Sequence, residues 1–194
     1  MANSRRTPLF AGVGVLAVLL VAASMIVAGP VAQSAGPAPA AVVKTRYSPL
    51  GATANGPSGP ATAKFTVAPY CCPSTAITLT PTTVSTEGDF QWLNLGLPSD
   101  NTTITLIEVC YTVTSTVPGR TYISQTRITD MTLPNSALVR LDDPADRNST
   151  SPVCYTVSTS FTPTGTLTLA LKVVIGSTSD RINVGMVALT GVAP

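Results

Sequence analysis

Histidine is missing from all 194 residues of this chain. Its absence excludes Ser-His-Asp and Cys-His catalysis, imidazole general bases and histidine-ligated zinc. Charge is scarce as well, with eleven basic and nine acidic residues making up 10% of the sequence. Arg5, Arg6, Lys44 and Arg46 precede residue 63, so seven basic residues face all nine acids in the remainder. That slightly negative region has no basic stripe, and so lacks the electrostatic footprint of nucleic-acid binding. Aromatics amount to 5%, with a single tryptophan. No segment beyond the N-terminus keeps an apolar helical period through three turns, which argues against helical bundles and crossover folds.

What is present begins with an export signature. Arg5 and Arg6 precede an uncharged, largely apolar run from Pro8 to Gly29, and small-residue cleavage patterns follow at Ala32-Gln33-Ser34 and Ala38-Pro39-Ala40. This layout predicts a signal peptide over residues 1–34. The same run is long enough to span a bilayer, so an uncleaved anchor is the alternative. Either way the remainder is expected outside the cytoplasm, secreted or on the cell surface, with membrane contact only through this segment if it is retained. Residues 35–62 are rich in Pro, Gly and Ala and predict a flexible linker.

Residues 63–194 change texture to short runs rich in Thr, Val, Ile and Leu. Nine strands are predicted: 63–68, 76–80, 90–95, 103–114, 120–129, 137–141, 153–160, 166–175 and 181–189. The segments between them carry turn chemistry, such as Leu97-Pro-Ser-Asp-Asn, Val117-Pro-Gly-Arg and Leu133-Pro-Asn-Ser. The expected fold is all-β, an antiparallel β-sandwich or jelly roll of about eight to nine strands. Strict alternation in Leu167, Leu169, Leu171, Val173 and Ile175 gives that strand one wholly apolar face.

Cys-Tyr-Thr-Val occurs twice, at Cys110–Val113 and Cys154–Val157. Period two puts Val and Tyr on the core face and both cysteines on the outer one. Cys71, Cys72, Cys110 and Cys154 are expected to form disulfides, as suits an oxidising compartment. Vicinal cysteines close a strained ring, so the expected pairing joins Cys71 and Cys72 separately to Cys110 and Cys154. The other arrangement is one Cys110–Cys154 bridge, with Cys71 and Cys72 reduced or paired together.

Three groups could carry chemistry. Asp142, Asp143 and Asp146 could supply oxygens to a structural calcium, but the D-x-D-x-D-G alternation is missing and a turn neutralised by Arg140 and Arg147 explains them more simply. Trp92, with Tyr70 and Tyr122, could form a platform for sugar rings; a lone tryptophan in an apolar run otherwise belongs to a core. Glu87 and Asp89 could act as an acid–base pair, but a solvated turn accounts for them more simply. The expectation is therefore a non-enzymatic exported module acting as a structural or interaction protein, with an extracellular protein or polysaccharide as partner. The alternative is a carbohydrate-binding jelly roll with a structural calcium.

Overall fold

The computed structural model describes residues 40–56, 63–71 and 74–193. The predicted signal or anchor, residues 1–34, lies outside the described residues. Eleven strands are present: β1 (Val42–Tyr47), β2 (Thr53–Ala54), β3 (Phe65–Pro69), β4 (Ile77–Pro81), β5 (Gln91–Leu97) and β6 (Thr103–Thr114). They continue as β7 (Tyr122–Leu133), β8 (Ser136–Asp143), β9 (Val153–Phe161), β10 (Thr166–Val174) and β11 (Arg181–Val192). A 3-10 turn at Pro49–Gly51 is the one helical element among the described residues. No helix among them is long and apolar enough to cross a membrane.

Two sheets form, and every strand pairing is antiparallel. One runs β3-β4-β11-β6-β9, with β1 also on β11; the other runs β2-β5-β10-β7-β8. Strands β4 to β11 nest in pairs around the β7–β8 hairpin. β7 lies beside β8, β6 beside β9, β5 beside β10 and β4 beside β11. A long hairpin folded over in this way is a jelly roll, one of the two architectures expected from the sequence. Each of the nine predicted strands has a counterpart.

The linker expectation needs correcting. Residues 42–47, inside the stretch read as flexible linker, form β1 and pair with Val187–Val192 of β11. Tyr47 packs against the core, and Pro49 and Ala52 are buried behind it. The run Val42-Val-Lys-Thr-Arg-Tyr lacks apolar alternation and is exposed up to the half-buried Tyr47, and the surrounding Pro, Gly and Ala dominate the average composition. β4 covers only Ile182–Val184 of β11, so the other half of that strand would be an open edge without β1.

Inward-facing residues of both sheets meet in one core. Leu93, Leu95 and Leu97 of β5 and Leu167, Leu169, Leu171 and Val173 of β10 pack against Ile107, Val109, Val113, Ile182, Val184 and Val187 of the other layer. Period-two alternation accounts for this division, because the same strands keep their polar residues outside.

The repeated tetrapeptides lie on neighbouring strands, running in opposite directions. Cys110 stands opposite Cys154 and the two are bonded to each other. This corrects the expected pairing with Cys71 and Cys72: antiparallel register puts the two sulfurs within bonding reach. Cys71 is itself disulfide-bonded, and Cys72 lies outside the described residues. The first copy buries Val109, Tyr111 and Val113, but in the second Tyr155 and Val157 are half-buried and Val153 is exposed. β9 is the sheet's edge, so its apolar side is only partly covered. Tyr111 and Tyr155 nonetheless meet edge to face at 5.7 Å, and burial pushes the Tyr155 hydroxyl up to about 12.

The Cys110–Cys154 bridge spans a sequence separation of 44 residues. Replacing both cysteines with serine is expected to remove about 3 kcal/mol, a typical value for a native bridge. Urea unfolding with and without the substitutions would measure it. An unchanged midpoint would show that the β6–β9 ladder alone sets the stability.

Candidate functional site

The outward face of the five-stranded sheet is the most chemically furnished surface of the molecule. Register puts its side chains into rows across the strands. One row reads Trp92, Lys172, Gln125, and the next reads Asn94, Ala170, Arg127, Asp142. The third, Gly96, Thr168, Thr129 and Val139, is smaller and mostly uncharged. Polar residues at alternate positions of β5, β7 and β10 thus become one continuous surface over an apolar floor.

Trp92 and Phe90 form an edge-to-face pair on this surface, with centroids 6.0 Å apart and planes at 81°. Both rings are half-buried, so each keeps a solvent-facing part. The Lys172 ammonium lies 4.1 Å from the Phe90 centroid, and the Arg127 guanidinium 5.2 Å from that of Trp92. These cations hold the ring orientations through their attraction for the aromatic faces. Arg127 in turn forks onto Asp142, with Nε and Nη2 at 3.2 and 2.9 Å, and Gln125 donates to the same carboxylate. The bond from Arg127 outweighs burial and, with that from Gln125, holds the Asp142 carboxyl below its ordinary range.

A groove of about 780 Å³ opens beside Phe90. Its floor includes Tyr122, Ser124, Lys172 and Val174, and residues 84–90 form one wall. That wall is firmly seated. The Asp89 carboxylate accepts from the Thr86 hydroxyl at 2.6 Å and from the buried Lys64 ammonium at 2.9 Å, and these bonds lower its pKa. Ser85 exchanges bonds with Ile175, its N–H donating to the carbonyl and its hydroxyl accepting from the amide. Gly88 and Gly119, at φ 81° and 78°, make the left-handed turns that let the wall and the 115–121 loop frame the groove.

The residues singled out from sequence separate into different places. Trp92 and Tyr122 lie on this sheet, one on the aromatic pair and one in the groove. Tyr70 is on the other layer, lining an apolar hollow of about 440 Å³ beside Cys110 and Cys154. It therefore cannot share a ligand with Trp92. Asp142 and Asp143 end β8 as consecutive residues, so their side chains leave on opposite faces; Asp142 is taken by Arg127 and Asp143 by Arg147. Asp146 is exposed beyond them. The structure thus does not gather the three carboxylates into a calcium cage, and the arginines occupy the two nearest the strand. Among the described residues, the group close enough to share an ion is Glu108, Cys110 and Cys154, and two of these are joined as a disulfide.

Asn94, Gln125, Arg127, Lys172 and Asp142 complete a face on which sequence alone proposed Trp92 and Tyr122 as sugar contacts and put Phe90 on the Trp92 side of its strand. The alternation of β5, β7 and β10 could have marked them as outward-facing. It could not have said that they stand in the same rows, because register is a tertiary property.

Fold and face together define an antiparallel β-sandwich with jelly-roll topology and an aromatic, hydrogen-bonding strip on one sheet. No protein-family model matches the chain, and no curated protein matches it. Solved structures with a similar backbone include a mutant family 29 carbohydrate-binding module, 12% identical over 77% of this chain and 86% of that one, with a TM-score of 0.46. Another such mutant, complexed with cellulohexaose, is 10% identical over 79% and 92%, at 0.43. An isomalto-dextranase of Arthrobacter globiformis T6, complexed with panose, is 15% identical over 75% of this chain and 23% of that one, at 0.42.

Proposed function

We propose that the chain is an exported, non-catalytic carbohydrate-binding module that lays a polysaccharide across the outward face of its five-stranded sheet. The observation that supports this reading is the Phe90–Trp92 pair, flanked in adjacent rows by Asn94, Gln125, Lys172, Arg127 and Asp142. Sugar rings present apolar C–H faces and a rim of hydroxyls, which suit an aromatic strip bordered by donors and acceptors. The groove provides no second free carboxylate to act with Glu87, since Lys64 holds Asp89. An acid–base pair for glycoside hydrolysis would need both.

The test is affinity electrophoresis of the full chain through gels containing soluble polysaccharides, followed by calorimetry with cellulohexaose and mannohexaose. Retardation by at least one glycan is expected. Trp92→Ala is expected to weaken that binding at least about tenfold, the scale of a buried aromatic anchor. A broad glycan panel with no retardation, or full affinity in the Trp92 variant, would overturn the reading.

The structural or interaction role keeps one observation of its own. Met131, Leu133, Leu138 and Val139 are exposed on the β7–β8 hairpin, at an edge of the sheet. Solitary exposed apolar residues are ordinary, whereas a cluster on an edge strand favours a protein contact.

A further inference from the structure

Most cations among the described residues are already spoken for. Lys44, Lys64, Arg127, Arg140 and Arg147 sit in ion pairs with carboxylates. Arg46, Arg120, Lys172 and Arg181 have no carboxylate within pairing distance among the described residues, and the Arg181 guanidinium instead bonds the carbonyls of Thr178 and Asp180. Two of these four, Arg120 and Lys172, line the same groove. The acids facing them there are Glu87, which is unpaired, and Asp89, whose charge Lys64 offsets. The lining's two cations equal its two carboxylates in number, and Lys64, paired with Asp89 from outside the lining, leaves one positive charge in excess.

We propose that this groove receives an anionic sugar, its carboxylate or sulfate ester seated between the Lys172 ammonium and the Arg120 guanidinium. The inference rests on the glycan-binding reading and names its ligand class. A neutral sugar laid over Lys172 would strip water from an ammonium and return only hydroxyl oxygens. An anionic sugar returns a counter-charge. Arg120 suits it because a guanidinium bonds the two oxygens of a carboxylate or sulfate as a fork, while Lys172 supplies a point charge that Phe90 already holds in place. Tyr122 and Ser124, on the floor beside Lys172, put hydroxyls within the same groove for the sugar's own hydroxyl groups.

Calorimetry on the full chain tests this with four ligands of similar length: an oligogalacturonate, its fully methyl-esterified form, a sulfated galactan oligomer and cellulohexaose. The acid is expected to bind at least about tenfold more tightly than its ester, equivalent to about 1.4 kcal/mol. That advantage should shrink as sodium chloride is raised. A sulfated oligomer preferred over the acid would assign the anion to sulfate, and the reverse to carboxylate. The double variant Arg120→Gln/Lys172→Gln should lose the preference for charge. The acid-against-ester comparison on the unaltered chain does not depend on the variant, and an unchanged thermal midpoint would show that the variant is folded. Equal affinity for all four ligands would overturn the inference. So would binding of cellulohexaose alone, but that result would leave the glycan-binding reading standing. Binding of none of the four would overturn the inference, and retardation by another polysaccharide in the glycan panel would still uphold the glycan-binding reading.

Discussion

Replacing Asp180 with alanine is expected to lower folding stability by about 3 kcal/mol, the upper end for donors that lose a buried charged acceptor. Asp180 is 1% exposed, at the turn into β11. Its carboxylate accepts from the Thr116 N–H at 2.7 Å, from the Ser115 and Thr116 hydroxyls at 3.0 Å each, and from the Thr121 hydroxyl. Alanine would strand the buried Thr121 hydroxyl and take the acceptor from Ser115 and Thr116, which are half-buried and exposed respectively. Thr121 also accepts from the Gly176 amide, so the disturbance extends to the end of the groove. Thermal unfolding should show a midpoint lower by about 10 °C. A change of a degree or two would mean that the 115–121 loop does not depend on this carboxylate.

The same network sets a pH dependence. Burial pushes the Asp180 carboxyl up, but the bonds from Thr121, Thr116 and Ser115 outweigh it and the pKa is lowered. Asp130, bonded to Arg140 and Thr164, follows the same pattern. A depressed carboxylate contributes stability that is present above its unfolded pKa, about 3.9, and is lost as pH falls through the folded value. Unfolding free energy should therefore be level near neutrality and decline below about pH 4. Asp180→Asn should flatten that decline.

Deleting residues 1–47 is expected to cost about 5 kcal/mol or to yield insoluble protein. Six residue pairs join β1 to β11, and ladder hydrogen bonds contribute about 1 kcal/mol each. The deletion would also remove Tyr47 from the core margin and the pair between the Lys44 ammonium and Glu108. It would leave half of β11 with an unpaired edge, which invites association between chains. Deleting residues 1–40 instead should leave the unfolding midpoint nearly unchanged. Equal midpoints for both deletions would show that β1 contributes nothing.

Much of this architecture was legible because strand alternation and turn residues are local signals. The Leu167 to Ile175 run declares its buried face without help from any other residue. The strand at 42–47 was obscured because its own six residues are averaged with prolines and glycines on either side. Its value lies in covering the half of β11 that β4 leaves open, which local sequence does not express. The cysteine pairing was hidden for a related reason: that Cys110 faces Cys154 depends on β6 and β9 being neighbours in matching register. Trp92 was identifiable as a candidate platform residue, yet the cations over the two rings and the Arg127–Asp142 fork exist only once four strands are side by side.

The nested pairing of strands also constrains when this domain can form. β11 holds the middle of its sheet, bonded to β6, β4 and β1, and it is the last strand made. Without β11, β4 would pair only with β3, β6 only with β9, and β1 with no strand among the described residues. The β7–β8 hairpin can close early over its short turn, but each outer pair must wait for a longer loop. The sandwich is therefore complete only once β11 is in place between β6 on one side and β4 and β1 on the other.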